Sequence, residues 1–179
     1  KKEDRRFENQ IIYAGRLSKE KGIDILLQAA KTLPSKYNLI ILGNGPEENN
    51  VRDVVKLKPN VHYLGYQPKQ NTISLIRGSD LLVQPSLMEG LSSTLLEALA
   101  CKTCIVASDV GGNSEIIDSD NTGVLIKPNN HEELLDKISE LLTNNEKRSR
   151  ITTAGLKVVE KYNWKRIGRL YLDVYESIM

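Results

Sequence analysis

Two carboxylates, Glu89 and Glu97, stand with seven residues between them in the stretch Pro85-Ser86-Leu87-Met88-Glu89-Gly90-Leu91-Ser92-Ser93-Thr94-Leu95-Leu96-Glu97-Ala98-Leu99. An apolar run from Asp80 to Gln84 precedes it and reads as a strand; its far end reads as a helix. Gly90 and the hydroxyl residues Ser92, Ser93 and Thr94 lie between. Such a strand-to-helix turn suits a phosphate, because a helix N-terminus offers unpaired N–H groups and the positive end of a dipole. The glutamates are too far apart to share one proton. Their spacing predicts that they grip different parts of one extended ligand.

A second stretch, Gly15-Arg16-Leu17-Ser18-Lys19-Glu20-Lys21-Gly22, follows another short strand. It matches neither the G-x-x-x-x-G-K-[ST] of a P-loop nor the G-x-G-x-x-G of dinucleotide folds. A phosphate here would be held by side-chain cations, with Arg16 making a planar two-pronged contact and Lys21 acting as a point charge. Lys19 reads as an ordinary surface lysine. Gly43-Asn44-Gly45-Pro46 either admits a nucleoside to the backbone or simply joins a strand to a helix with Pro46 in its first turn. Asp109-Val110-Gly111-Gly112-Asn113-Ser114-Glu115 is read as approaching the sugar or phosphate in preference to serving close packing.

The elements that must position these loops alternate. Strands are expected at Gln10–Ala14, Asn38–Leu42, Val61–Leu64, Leu81–Val83, Cys104–Ala107 and Gly123–Ile126. Helices are expected at Gly22–Leu33, up to about Leu57, near Gln70–Arg77, and then at His131–Leu142, Lys147–Lys161 and Lys165–Ser177. Alternating elements, with strands apolar on both faces, predict an α/β fold. Its core would be a doubly wound, Rossmann-like parallel sheet of about six strands with helices on both faces. Ligands of such sheets sit outside the carboxyl ends of the strands. Gly15, Gly43, Gly45, Gly65, Gly90, Gly111 and Gly112 all fall at such ends.

The 179 residues suffice for one domain with a real core, and the net charge of +2 is spread along the chain. That leaves no basic face for nucleic acid. No apolar run approaches the roughly 20 residues of a membrane span. The start at Lys1, on a charged leader, suggests a fragment of a longer protein; residues 1–9 are read as leader or linker and 10–179 as one Rossmann-like, ligand-binding domain. Cys101 and Cys104 form a C-x-x-C placed between a helix end and a strand, without the helix N-terminus that activates a redox pair. His62 and His131 lie too far off in sequence to complete a zinc site.

Gly15-Arg16-Leu17-x-x-x-Lys21-Gly22, Glu89-x7-Glu97 and Asp109-Val110-Gly111-Gly112-x-x-Glu115-Ile116 occur in that order. The set closely resembles the C-terminal, donor-binding domain of family 4 retaining glycosyltransferases (glycosyl transferases group 1), which have the two-domain GT-B fold. The likeness runs from about Gln10 to the final helix, opened by Tyr162-Asn163-Trp164. It implies transfer of a hexosyl group from a nucleoside-diphosphate sugar, UDP- or GDP-hexose foremost, to a glycan or lipid-linked acceptor. Arg16 and Lys21 would bind the diphosphate, Glu89 the hexose and Glu97 the ribose hydroxyls. Backbone N–H groups of Gly90, Leu91, Ser92, Ser93 and Thr94 would meet sugar and phosphate. Leu64, Gly65 and Tyr66 would lie against the base, with Gly15, Gly43, Asn44 and Gly45 also lining the donor site. The catalytic set so implied is Glu89, Arg16 and Lys21, with no cofactor and no metal.

The resemblance also implies a separate N-terminal domain that holds the acceptor, a cytoplasmic setting, and peripheral membrane association through that domain. Leu91 replaces an aromatic residue usual after the Glu-Gly, which bears on donor choice, and Lys102-Thr103-Cys104 replaces a Gly-x-Pro. Rival readings are a nucleotide-sugar epimerase of the same architecture and a non-catalytic nucleotide-sugar-binding module.

Overall fold

Short apolar strands of three to five residues alternate with helices throughout the structure, a computed structural model that describes residues 5–178. The strands are β1 (Gln10–Ala14), β2 (Asn38–Leu42), β3 (Val61–Gly65), β4 (Leu81–Gln84), β5 (Cys104–Ser108) and β6 (Val124–Ile126). The helices are α1 (Ile23–Thr32), α2 (Glu48–Leu57), α3 (Lys69–Gly78), α4 (Ser93–Ala100), α5 (Asn113–Ile116), α6 (His131–Thr143), α7 (Asn145–Val159) and α8 (Trp164–Ile178). Single 3-10 turns at Lys19–Lys21 and Glu160–Tyr162 precede α1 and α8. Element boundaries fall within about two residues of those expected. The short α5 and the 3-10 turn ahead of α1 are additions, both within glycine-containing loops that carry too few apolar residues to show a helical period.

All six strands are parallel, in the order β3-β2-β1-β4-β5-β6. Successive residues of each strand face opposite sides. Ile11, Tyr13, Leu39, Ile41, Leu81, Val83 and Val106 join one core with α1, α2 and α6. Ile12, Ile40, Leu42, Leu82, Ile105 and Ala107 join a second core with α3 and α4. Both faces are therefore covered, which is why the strands read as unbroken apolar runs and not as alternating ones.

β1 and β4 are neighbours, paired through Ile11↔Leu81 and Ile12↔Leu82, yet the chain leaves β1 toward β2 and returns to β4 from the other flank. The loops after these two strands diverge, and the crevice between them is where an open parallel sheet takes its ligand.

Residues 1–4 of the expected leader lie outside the described residues. Residues 5–9 are tied to the domain: Phe7 stacks on His62 with ring centroids 4.1 Å apart, and the amides of Arg6 and Phe7 donate to Gln10 Oε1 at 3.0 and 3.1 Å. At the opposite end, α8 buries none of its residues. Trp164, Tyr171, Val174 and Ile178, at helical spacing, leave an apolar stripe exposed.

Candidate functional site

The crevice after β1 and β4 holds two adjoining chambers. The larger, of about 790 Å³, is lined by the ends of β1 and β2, the Gly43–Pro46 loop, Tyr66, Lys69 and Glu97. The smaller, of about 180 Å³, is lined by Tyr13, Lys21, Gln84, Ser86, Glu89 and Leu91. Ala14, Gly15, Ser93 and Thr94 border both, so the first turn of α4 forms the partition. That turn carries N–H groups without intrahelical partners. One glutamate thus belongs to each chamber, as expected of residues that hold different parts of one ligand.

Glu89 is firmly held. Its Oε1 accepts hydrogen bonds from Lys21 Nζ at 2.8 Å, Gln84 Nε2 at 2.7 Å and Ser86 Oγ at 2.9 Å. The side chain is only 7% exposed, so this buried charge has the donors and the cation that such burial requires. Gln84 is itself oriented by Ser92, whose hydroxyl donates to Gln84 Oε1 at 3.0 Å. Ser92 caps α4, accepting from Leu95 N at 3.4 Å. Tyr13 lies beneath, its hydroxyl donating to Arg16 O at 2.8 Å. Burial, reinforced by the nearby Glu89 charge, pushes the Tyr13 phenol far above its ordinary range, so it stays a neutral donor.

In the larger chamber Glu97 pairs with Lys69 of α3, whose ammonium is largely exposed. Tyr66 stands exposed at the rim. Arg16 is also exposed, and its guanidinium has no hydrogen-bond or ion-pair partner among the described residues. A guanidinium so placed is available to an anion at the partition, whereas Lys21 is already engaged by Glu89.

The glycine turns hold backbone against backbone. A Cβ on Gly43 would lie 1.9 Å from Gly15 O, so this loop presses on the β1 loop, reinforced by Leu17 N donating to Asn44 O at 2.8 Å. Gly111 and Gly112 pack in the same way beneath Glu89 and Gly90: their Cβ atoms would lie 1.8 Å from Glu89 O and 2.5 Å from Gly90 O, and Gly112 N donates to Gly90 O at 3.2 Å. The reading of Gly111-Gly112 as a sugar or phosphate contact gives way to close packing. The pair lines neither chamber.

Most of the residues singled out in the sequence converge here: Gly15, Arg16, Lys21, Gly43, Asn44, Gly45, Tyr66, Glu89, Leu91, Ser92, Ser93, Thr94 and Glu97 all border a chamber. Leu64, Gly65 and Gly90 border neither. Leu64 packs against the core, Gly65 O accepts from Gly43 N at 2.9 Å, and Gly90 supports the Gly112 turn. Gln84, Ser86, Tyr13 and Lys69 escaped notice. The polar Gln84 closing an apolar strand was the one visible signal.

Cys101 follows the C-terminus of α4 and Cys104 is buried in β5, away from any positive helix end. His62, near the opposite end of β3, and His131, at the start of α6, line neither chamber. Among the described residues no group of three or more His, Cys, Asp or Glu side chains is placed to hold a metal. No described helix is long and apolar enough to cross a membrane.

The fold defines a Rossmann-like α/β domain with a candidate ligand site at the carboxyl edge of its parallel sheet. Residues 1–158 match the family of glycosyl transferases group 1, and the chain belongs to that family. An uncharacterised glycosyltransferase of Methanocaldococcus jannaschii is 30% identical over 170 residues, 93% of this chain and 48% of that protein. The N,N'-diacetylbacillosaminyl-diphospho-undecaprenol alpha-1,3-N-acetylgalactosaminyltransferase of Campylobacter jejuni is 30% identical over 160 residues, 89% of this chain and 42% of its own. Among solved structures, Anabaena HepE in complex with UDP superposes with a TM-score of 0.87 at 22% identity, covering 95% of this chain and 49% of that one. The C-terminal domain of a Francisella tularensis glycosyl transferase group 1 protein superposes with a TM-score of 0.77 at 26% identity, over 89% of each chain. The chain spans about half the length of the curated relatives it matches.

Proposed function

We propose that this chain is the donor-binding half of a glycosyltransferase that takes a hexosyl group from a nucleoside-diphosphate sugar. The observation that carries the reading is the pair of joined chambers, each with its own carboxylate and with a helix N-terminus between them. The larger has the dimensions of a nucleotide pocket. There Tyr66 offers a face to the base and Glu97 accepts from the ribose hydroxyls, exchanging Lys69 for them. The diphosphate lies at the partition, against Arg16, Lys21 and the N–H groups of Ser93 and Thr94. The hexose enters the smaller chamber beside Glu89. The UDP-glucose complex of Anabaena HepE, a protein of the same fold, is consistent with this assignment.

Breaking the anomeric bond moves negative charge onto the departing diphosphate. Arg16, Lys21 and the α4 N-terminus, in place beforehand, stabilise that charge without reorganisation, so no metal ion is needed. The Glu89 carboxylate lies where it can offset positive charge on an oxocarbenium-like sugar. Transfer with retained configuration, to a glycan or lipid-linked acceptor held by a second, N-terminal domain in a cytoplasmic setting, completes the reading; the exposed stripe of α8 is a surface on which such a domain can close. The epimerase alternative depends on extra histidines, and neither His62 nor His131 reaches the chambers.

A thermal-shift screen of UDP, GDP and ADP with their hexose conjugates tests the proposal. At least one nucleotide series should raise the unfolding temperature. No shift with any of them, confirmed by calorimetry at millimolar ligand, refutes it.

A further inference from the structure

We infer that Gln84 and Ser86 are positioning residues for the sugar-side carboxylate, an inference that rests on the donor-site reading above. Three donors converge on one oxygen of Glu89, at 2.7–2.9 Å, and Oε2 has no hydrogen-bond partner among the described residues. The carboxylate is thus held by one oxygen and presents the other to the smaller chamber.

The direction of every bond in this chain is determined. The Glu89 carboxylate only accepts, so the Gln84 amide must turn its NH2 toward it and its Oε1 toward Ser92. The single Ser92 proton then goes to Gln84 Oε1, while Ser92 Oγ accepts from Leu95 N. Ser86 has no exposed surface and Gln84 is 6% exposed, so both donors are shielded from water and their geometry is fixed by packing. Lys21 is different: it is the only charged donor of the three and its side chain is 35% exposed, so its ammonium can divide between Glu89 and a phosphate. When it does so, Gln84 and Ser86 keep Glu89 oriented. The cap of α4 and the carboxylate of the adjoining chamber are therefore one connected device, in which the helix that receives the diphosphate also orients the group that receives the sugar.

The test is a binding cycle, with UDP against UDP-glucose and GDP against GDP-mannose as probes. In wild type the hexose should add affinity in one series. Gln84→Met and Ser86→Ala should each remove most of that increment, weakening the sugar conjugate about tenfold while leaving the bare diphosphate within about twofold. In a Glu89→Gln background, which loses the increment itself, Gln84→Met should cause no further loss, because it acts through Glu89. Equal weakening of diphosphate and conjugate, or additive losses in the double variant, overturns the positioning role. Failure of wild type to bind any of the four probes instead overturns the donor-site reading on which it rests. Unfolding midpoints of Ser86→Ala and Gln84→Met keep the cycle interpretable: a variant that has lost its fold loses both ligands, and the other variant then decides.

Discussion

Gly111→Ala tests whether the loop that carries Glu89 is shaped from beneath. The Gly111 backbone has φ +51°, a left-handed conformation that costs an L-residue about 1–2 kcal/mol. The added Cβ would lie 1.8 Å from Glu89 O, whereas real Cβ contacts essentially never fall under 3.0 Å, so the two segments must separate by about 1.2 Å (3.0 − 1.8). That displacement strains the Gly112 N–Gly90 O bond, a contact worth about 1 kcal/mol. The sum is a loss of about 2–3 kcal/mol, a fall in unfolding temperature of roughly 4–12 °C for a domain of this size. Gly90→Ala is the control, since a Cβ there meets nothing within 4 Å. Urea denaturation of the two variants beside wild type measures the difference. Calorimetry with the responsive sugar nucleotide should show tenfold or greater weakening for Gly111→Ala alone, because a shift of about 1 Å in a positioned group is enough to spoil a reactive geometry. If Gly111→Ala unfolds within about 0.5 kcal/mol of Gly90→Ala, the turn does not support the Glu89 loop as described.

Two further outcomes follow from the geometry. Arg16→Ala should weaken nucleoside-diphosphate binding by ~1–3 kcal/mol with little change in the unfolding midpoint, since its guanidinium has no partner among the described residues; titration calorimetry showing wild-type affinity would remove it from the diphosphate site. His62, half-buried against Phe7, has its pKa lowered from 6.5 by burial. The neutral ring is therefore favoured in the fold, and the stability it contributes is fully present above pH 6.5 and is lost as pH falls through its lower folded value. Denaturation at pH 7.5 and pH 5 should show a larger drop for wild type than for His62→Phe, and equal drops would place the pH sensitivity elsewhere.

Much of the fold was legible because the four inner strands, β1, β2, β4 and β5, are buried on both faces and so read as short apolar blocks. The separation of Glu89 and Glu97 was legible for a related reason: a strand end and a helix start lie on one ligand edge whatever surrounds them. The clamp on Glu89 was not. Lys21 and Glu89 are 68 positions apart, and only the adjacency of β1 and β4 brings them into contact. Lys69 reaches Glu97 across 28 positions through the packing of α3 beside α4. The glycines were visible as glycines, but small size permits close approach to a ligand or to another backbone equally. At Gly43, Gly111 and Gly112 the partner is a carbonyl of the neighbouring loop, a contact that exists only once both loops are folded.

These pairings resolve a difficulty that the composition of the site poses. Two carboxylates at the mouth of the proposed diphosphate site would repel such a ligand. Here Lys21 offsets Glu89 and Lys69 offsets Glu97, so the two chambers are close to neutral before a ligand arrives. The charge left over is Arg16, which lines the larger chamber, together with the positive end of α4 at the partition, where the proposed diphosphate would lie. Because the Lys69 side chain is mostly open to solvent, its ammonium loses little on leaving Glu97, and on the proposed reading the ribose hydroxyls replace it. Glu89 is buried and triply bonded, so a sugar must take the oxygen that is left to it. The same residue type therefore suits two tasks, an exchangeable acceptor in one chamber and a fixed one in the other, and the difference comes from the partners: one exposed ammonium on Glu97, three donors on Glu89.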